Sequence, residues 1–189
     1  SEIFERMQAE TRIWHIAHHD ALTGLPNRAL LQDRLDQALI AAERSAQRVA
    51  LLFLDLDRFK NVNDSLGHDV GDALLRIVAD RLVSVVRDVD TVCRLGGDEF
   101  VIILGAISGP DDSVLIAERI IEVLAQPVDA MGHLLQASTS IGIALFPDDA
   151  RDAPSLMKSA DAAMYAAKGR GRNNFQFYSA DLNAEAMRF

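Results

Sequence analysis

Hydrophobic residues change their spacing along the chain, and each change marks an element. Phe4, Met7, Thr11, Trp14 and His18 alternate at intervals of three and four, the pattern of a short heptad seam, which predicts a helical stalk over residues 1–19. The same pattern would serve a single amphipathic helix docked on its own domain. A Thr-Gly turn and Pro26 then open a helix with Leu30, Leu31, Leu35, Ala38 and Leu39 at helical spacing, ending near Ser45. Arg48 to Leu54 is a continuous apolar run of strand length that stops at Asp55, so it predicts a buried strand with acids at its end, followed by a polar loop. Asp69 to Val86 repeats apolar residues at Leu74, Leu75, Ile77, Val78, Leu82 and Val85, an amphipathic helix opened by GHDVGD. Thr91 to Leu95 and Glu99 to Leu104 flank Gly96-Gly97-Asp98 and predict a hairpin. Beyond it, the pattern predicts a helix over Asp111 to Ala125 and one long strand over Leu134 to Phe146. A helix over Pro154 to Ala167 and a closing strand over Asn174 to Tyr178 complete it. Alternating helices and strands with at least one hairpin favour an α+β domain, helices layered on a mixed or antiparallel sheet.

Composition narrows the class. The chain is 49% hydrophobic and 25% charged, the balance of an ordinary globular protein, and its 189 residues fit one domain with short extensions. The longest apolar runs, Val49 to Leu54 and Val101 to Leu104, fall far below the roughly 20 residues of a membrane-spanning helix, and no secretory signal opens the sequence. A single cysteine, Cys93, suits a reducing compartment, so a cytoplasmic setting is expected, although a longer parent could be membrane-anchored. The net charge of −9 disfavours a nucleic-acid partner, but carboxylates holding a divalent metal could still bridge to a small phosphate ligand.

The candidate chemistry lies in acids. Asp55 and Asp57 sit where the buried strand emerges, and Asp98 and Glu99 at the hairpin tip. Should the two strands be neighbours, their carboxylates converge into a group suited to a hard divalent cation. Any one of these acids alone would read as a solvated loop residue.

The joint pattern resembles the GGDEF family of diguanylate cyclases, whose motif stands unaltered as Gly96-Gly97-Asp98-Glu99-Phe100. The likeness extends to DALTGLPNR from Asp20 to Arg28, FLDLDRFKNVND from Phe53 to Asp64, GHDVGD from Gly67 to Asp72 and SIGIALFP from Ser140 to Pro147. It closes with Tyr165-Ala166-Ala167-Lys168 and Gly171-Arg172-Asn173. It implies a domain over residues 20–178 with a ferredoxin-like palm, its central sheet mostly antiparallel and flanked by helices. It also implies an enzyme that joins two GTP into cyclic di-GMP as a homodimer. By resemblance, Asp55, the Leu56 carbonyl and Asp98 hold Mg2+ or Mn2+, Asp98 serves as base for the attacking 3′-hydroxyl, and Glu99 could share either role. Gly96 and Gly97 let the hairpin backbone approach the triphosphate. Lys168 and Arg172 match γ-phosphate contacts, and Lys60 lies in a phosphate-handling loop. Asn63 and Asp72 match the guanine-reading pair. Arg87 and Asp90 match an RxxD site where product binds and inhibits, with Arg119 a second candidate contact.

Two rivals remain. Ser179, Asp181, Asn183 and Met187, within a connector over residues 179–189, resemble the link into an EAL phosphodiesterase domain, so the chain could instead be a GTP-binding regulatory module with attached EAL and sensor domains. A polymerase or adenylyl cyclase would share the palm chemistry, but the acidic balance speaks against a template and Asn63 with Asp72 against adenine.

Overall fold

A computed structural model describes residues 1–186; Met187, part of the expected connector, lies outside them. In chain order the elements are α1 (Glu2–His18), α2 (Arg28–Ser45), β1 (Arg48–Leu56), α3 (Phe59–Leu66), α4 (His68–Val85), β2 (Thr91–Gly96) and β3 (Glu99–Ile107). They continue with α5 (Pro110–Ala125), β4 (Val128–Ala130), β5 (His133–Leu135), β6 (Thr139–Phe146), α6 (Ala153–Gly169), β7 (Phe175–Phe177) and α7 (Ala180–Ala186). The main sheet runs β2-β3-β1-β6-β7. Each of its first four strands runs antiparallel to its neighbours among them, and β7 pairs parallel to β6. The architecture is α+β, as expected.

Strand β1 lies at the centre, and its alternation sorts the core into two layers. Ala50, Leu52, Leu54 and Leu56 face α4 and α5, packing with Leu74, Val78, Leu82, Ala117 and Ile120. Val49, Leu51 and Phe53 face α2 and α6, packing with Leu31, Leu35, Leu156, Ala160 and Met164. A continuous apolar run is what a strand covered on both faces requires. By the same alternation Asp55 follows Phe53 onto the α2/α6 face. Helix α6 lies directly on β6 because Gly142 has no side chain: a Cβ there would run into the α6 backbone at Ala160, Ala163 and Met164.

Two expectations need correction. The segment after β1 is not a loop but helix α3, whose few apolar residues, Phe59, Val62 and Leu66, fall on one face at helical spacing and pack on the core. The long strand over Leu134 to Phe146 is two strands: β5 leaves the main sheet and pairs with β4. The turn between β4 and β5 places Met131 and Gly132 at φ of 53° and 86°, and the Asp129 carboxylate accepts the Gly132 N–H at 2.9 Å. Helix α7 falls within the segment expected to be a connector.

Helix α1 has no buried residue, and Phe4, Met7 and Trp14 are each more than half exposed. Its end is pinned to the domain, since the Asn27 backbone N–H donates to the His18 carbonyl at 3.0 Å and its side chain to the Ala17 carbonyl at 2.9 Å.

Candidate active site

The acids converge because β1 and β3 are neighbours. Asp55, near the end of β1, stands opposite Glu99, the first residue of β3, and the Leu56 N–H donates to the Asp98 carbonyl at 3.2 Å. Gly96 and Gly97 turn the hairpin at φ of 145° and 52°, conformations that side chains disfavour, and the space beside both α-carbons is open. Arg94 clamps this turn from inside. Its guanidinium donates to the Gly97 carbonyl at 3.1 and 2.8 Å and pairs with Asp20 at 2.9 Å, while its backbone N–H donates to Pro26 at 3.0 Å.

The electrostatics of the cluster are set by crowding. Asp55 is only 8% exposed; one carboxylate oxygen pairs with the Lys168 ammonium, and the other is buried without a hydrogen-bond partner among the described residues. Burial first, and then the neighbouring Asp55 carboxylate, push the Asp98 carboxyl up to about 7. Glu99 is also held above its ordinary value, by burial first and then by the charges of Asp55 and Asp161, with Arg28 and Lys168 opposing. Asp161 is raised by burial and by Asp55 against the pull of Lys168. Burial works against the Lys168 ammonium, but its hydrogen bond to Asp55 and the charges of Asp55 and Asp98 outweigh it and raise its pKa.

Asp57 does not join this group. Its oxygens accept from the Ser138 and Ser140 hydroxyls, each at 2.6 Å, and from the Asn173 N–H at 3.0 Å. It braces the start of β6 against the loop that follows α6.

The remaining residues fall into two further groups. Lys60 is exposed on the first turn of α3, and Arg172 is exposed in the loop after α6, so of the three expected phosphate-handling bases only Lys168 enters the acid cluster. Asn63 on α3 and Asp72 on α4 occupy packed helices; the α4 residue Gly71 lies so close to the Asn63 amide that a Cβ there would collide with it. The Asn63 Oδ1 is buried without a partner among the described residues and lies against Gly71, the residue before Asp72 on the neighbouring helix. At the other end of β2, some 20 Å from Gly96 by strand rise, the Arg87 guanidinium donates to both Asp90 oxygens at 3.0 and 2.7 Å and to the Gly105 carbonyl at 2.7 Å. The Asp90 carboxylate is fully buried. Arg87 and Arg119 line one cavity of about 350 Å³ with Asp112 and Leu115, so the structure brings the expected product contacts together.

Among the described residues no three His, Cys, Asp or Glu side chains gather into a cage that could hold a metal alone. That suits a hard cation of the magnesium type, which takes one or two carboxylates and completes its shell with phosphates and water. The unpartnered Asp55 oxygen beside Asp98 is the observation that fits one. Sequence reasoning missed Asp161 and Arg94. Asp161 stands seven residues before Lys168, two turns away on the same face of α6, and Arg94 is a charge in an otherwise apolar strand; both were visible signals.

An α+β domain with acids gathered at one end of a mostly antiparallel sheet is the class that the fold and site define. The sequence matches the family described as "Diguanylate cyclase, GGDEF domain" over residues 17–174, and the chain belongs to that family. It is 48% identical over 180 residues to MucR of Pseudomonas aeruginosa, named a bifunctional diguanylate cyclase/cyclic di-GMP phosphodiesterase, covering 95% of this chain and 26% of that protein. It spans 24% and 23% of the lengths of the next two curated relatives. The structure of the GGDEF domain of TpbB (YfiN) from Pseudomonas aeruginosa superposes with a TM-score of 0.84 at 39% identity, covering 91% of this chain and 100% of that one. The coiled coil and GGDEF domain of DgcB from Caulobacter crescentus, solved with c-di-GMP, gives 0.81 at 29% identity, with 93% of each chain covered. No described helix is long and apolar enough to cross a membrane.

Proposed function

We propose that this domain condenses two GTP into cyclic di-GMP, with two copies facing each other and each presenting one nucleotide. The observation that carries the reading is geometric: Asp55, Asp98 and Glu99 meet at an open Gly-Gly turn, and one Asp55 oxygen has no partner among the described residues. A carboxylate at this turn can accept a proton from a hydroxyl. In each half-reaction the 3′-hydroxyl oxygen of one GTP forms an ester bond to the α-phosphorus of the other. The bond from that phosphorus to the bridging oxygen of the β-phosphate breaks, pyrophosphate leaves, and the hydroxyl proton passes to Asp98 or Glu99. Asp55, the Leu56 carbonyl and Asp98, with Glu99 able to share the role, would hold Mg2+ or Mn2+, which when bound would supply charge neutralisation at the triphosphate.

The chain's own residues do the rest. Lys60, Lys168 and Arg172 offer positive charge to the β- and γ-phosphates, and Gly96 and Gly97 let the backbone come close. Asn63 and Asp72 select guanine, since a carboxylate accepts from guanine N1–H and its exocyclic amine and adenine lacks that donor pair. Arg87, Asp90 and Arg119 form a site where cyclic di-GMP binds and holds the two hairpins apart. Residues 1–19 act as a stalk setting the pairing geometry, 20–178 as the catalytic domain and 179–189 as a connector. Relatives named only as cyclic di-GMP phosphodiesterases, NbdA at 38% identity and PdeR at 36%, favour a second reading, in which the domain binds GTP to control an attached EAL phosphodiesterase.

Pyrophosphate release from GTP and from ATP, by wild type and Asp72→Asn, tests substrate and role together. Wild type is expected to release pyrophosphate from GTP and not from ATP, and Asp72→Asn to lose that preference. Equal use of both nucleotides by wild type would sink the guanine assignment. GTP binding without any release would favour the regulatory reading.

A further inference from the structure

The Lys168 ammonium is not spread over an open phosphate-binding surface; it lies on Asp55, the acid that the proposed function gives to the cation. We infer that Lys168 is an internal stand-in for that cation, so that a divalent metal gains Asp55 only when nucleotide phosphates draw the ammonium away. The inference rests on the metal assignment of Asp55.

Three features carry it. First, Asp55 is buried to 8% exposure and its only ionic partner among the described residues is Lys168. A buried carboxylate without a counter-charge is strongly disfavoured, so without nucleotide the ammonium is the group that makes the site tolerable. Secondly, the pairing is built into the fold. Asp55 is directed to the α6 face by the alternation of β1, and Lys168 is on the last turn of α6, which Gly142 allows to lie against β6. Thirdly, the ammonium can leave. Its side chain is 27% exposed, it stands 5.4 Å from the centre of the exposed Tyr165 ring, and its flexible four-carbon stem can turn outward toward a triphosphate.

A dication and an ammonium on one carboxylate repel each other. Metal binding therefore favours the outward position of Lys168, which nucleotide phosphates also favour, and by linkage each ligand must strengthen the other's binding by the same factor. Lys168 thus both contacts phosphate and makes metal entry conditional on nucleotide.

The test is Mn2+ binding to the nucleotide-free chain, read by the paramagnetic resonance signal of free Mn2+. Wild type, Lys168→Met, Lys168→Gln, Lys168→Arg and the double variant Lys168→Met/Asp55→Asn are compared, each checked for fold by circular dichroism. The expected result is Mn2+ bound at least tenfold more tightly by the Met and Gln variants than by wild type. The Arg variant should stay near wild type and the double variant return to background. Equal Mn2+ affinity in wild type and both neutral variants overturns the inference and leaves the metal assignment standing. Tight binding that survives Asp55→Asn places the ion elsewhere and overturns it. If no variant binds Mn2+ and a methylene-bridged GTP analogue brings none in, the metal assignment of Asp55 falls, and the inference falls with it.

Discussion

Asp98 shows how a single residue trades stability for chemistry. Its carboxyl reaches about 7 because burial and then Asp55 penalise the charged form. Below the ordinary carboxylate value near 4 the group is neutral in both the folded and the unfolded chain. As pH rises from there, the unfolded chain releases the proton first, so stability contributed by this group is lost until pH passes about 7. Asn cannot ionise and escapes this loss. With metal removed by a chelator, Asp98→Asn is therefore expected to melt above wild type at pH 8, with the gap closing toward pH 4. Asp98 is half-exposed, so solvent screening reduces the effect to about 1 kcal/mol, or ~2–4 °C. A gap that does not change with pH would contradict the origin assigned to the shift.

Elements position these side chains, and what was legible in the sequence follows from how local each signal is. The run at β1, the Gly-Gly turn and the periodic faces of α2, α4, α5 and α6 report burial directly, so those elements and the meeting of Asp55 with Asp98 and Glu99 could be read without coordinates. Helix α3 was hidden because eight mostly polar residues bury only Phe59 fully. The β4–β5 hairpin was hidden because its strands are three residues each and stand outside the main sheet. The saturation of Asp57 by Ser138, Ser140 and Asn173 and the clamp of Arg94 on Asp20 and Gly97 join segments distant in sequence, which no local pattern displays. That clamp leads to a prediction: Arg94→Met should lower turnover about ten- to a hundredfold by loosening the hairpin, with the KM for GTP little changed. Arg94→Lys should recover part of the loss, and combining Arg94→Met with Asp20→Asn should cost no more than the larger single effect. Full additivity in that cycle would show that the two residues act separately.

The opposite end of β2 provides a second prediction at this scale. Arg87→Ala should weaken inhibition by cyclic di-GMP at least tenfold, since charge-assisted hydrogen bonds of about 1.5–3 kcal/mol each are lost. Initial velocity should be nearly unchanged, because the site stands a strand's length from the hairpin. The substitution also unpairs the buried Asp90 carboxylate, so Arg119→Ala, which leaves that pair intact, should reduce inhibition as well. Rates against GTP at several fixed product concentrations check both, and purely competitive inhibition of wild type would count against a separate site.

At the scale of the whole molecule, one copy presents one acid cluster and one copy of the proposed guanine-reading pair, whereas the proposed ring closure needs two nucleotides attacking each other. The proposed pairing would use the exposed Phe4, Met7 and Trp14 on α1 as its apolar seam, set against the repulsion of two chains of net charge −9. Activity should therefore rise faster than linearly with protein concentration in the dilute range; strict proportionality from a species that sediments as a monomer throughout would contradict pairing. The central claim is tested most directly by incubating the chain with GTP and Mg2+ and identifying the product by mass, alongside Asp98→Ala. Cyclic di-GMP from wild type and none from a folded Asp98→Ala is the predicted result; no cyclic di-GMP from wild type at any protein concentration, or wild-type amounts from the variant, would contradict it.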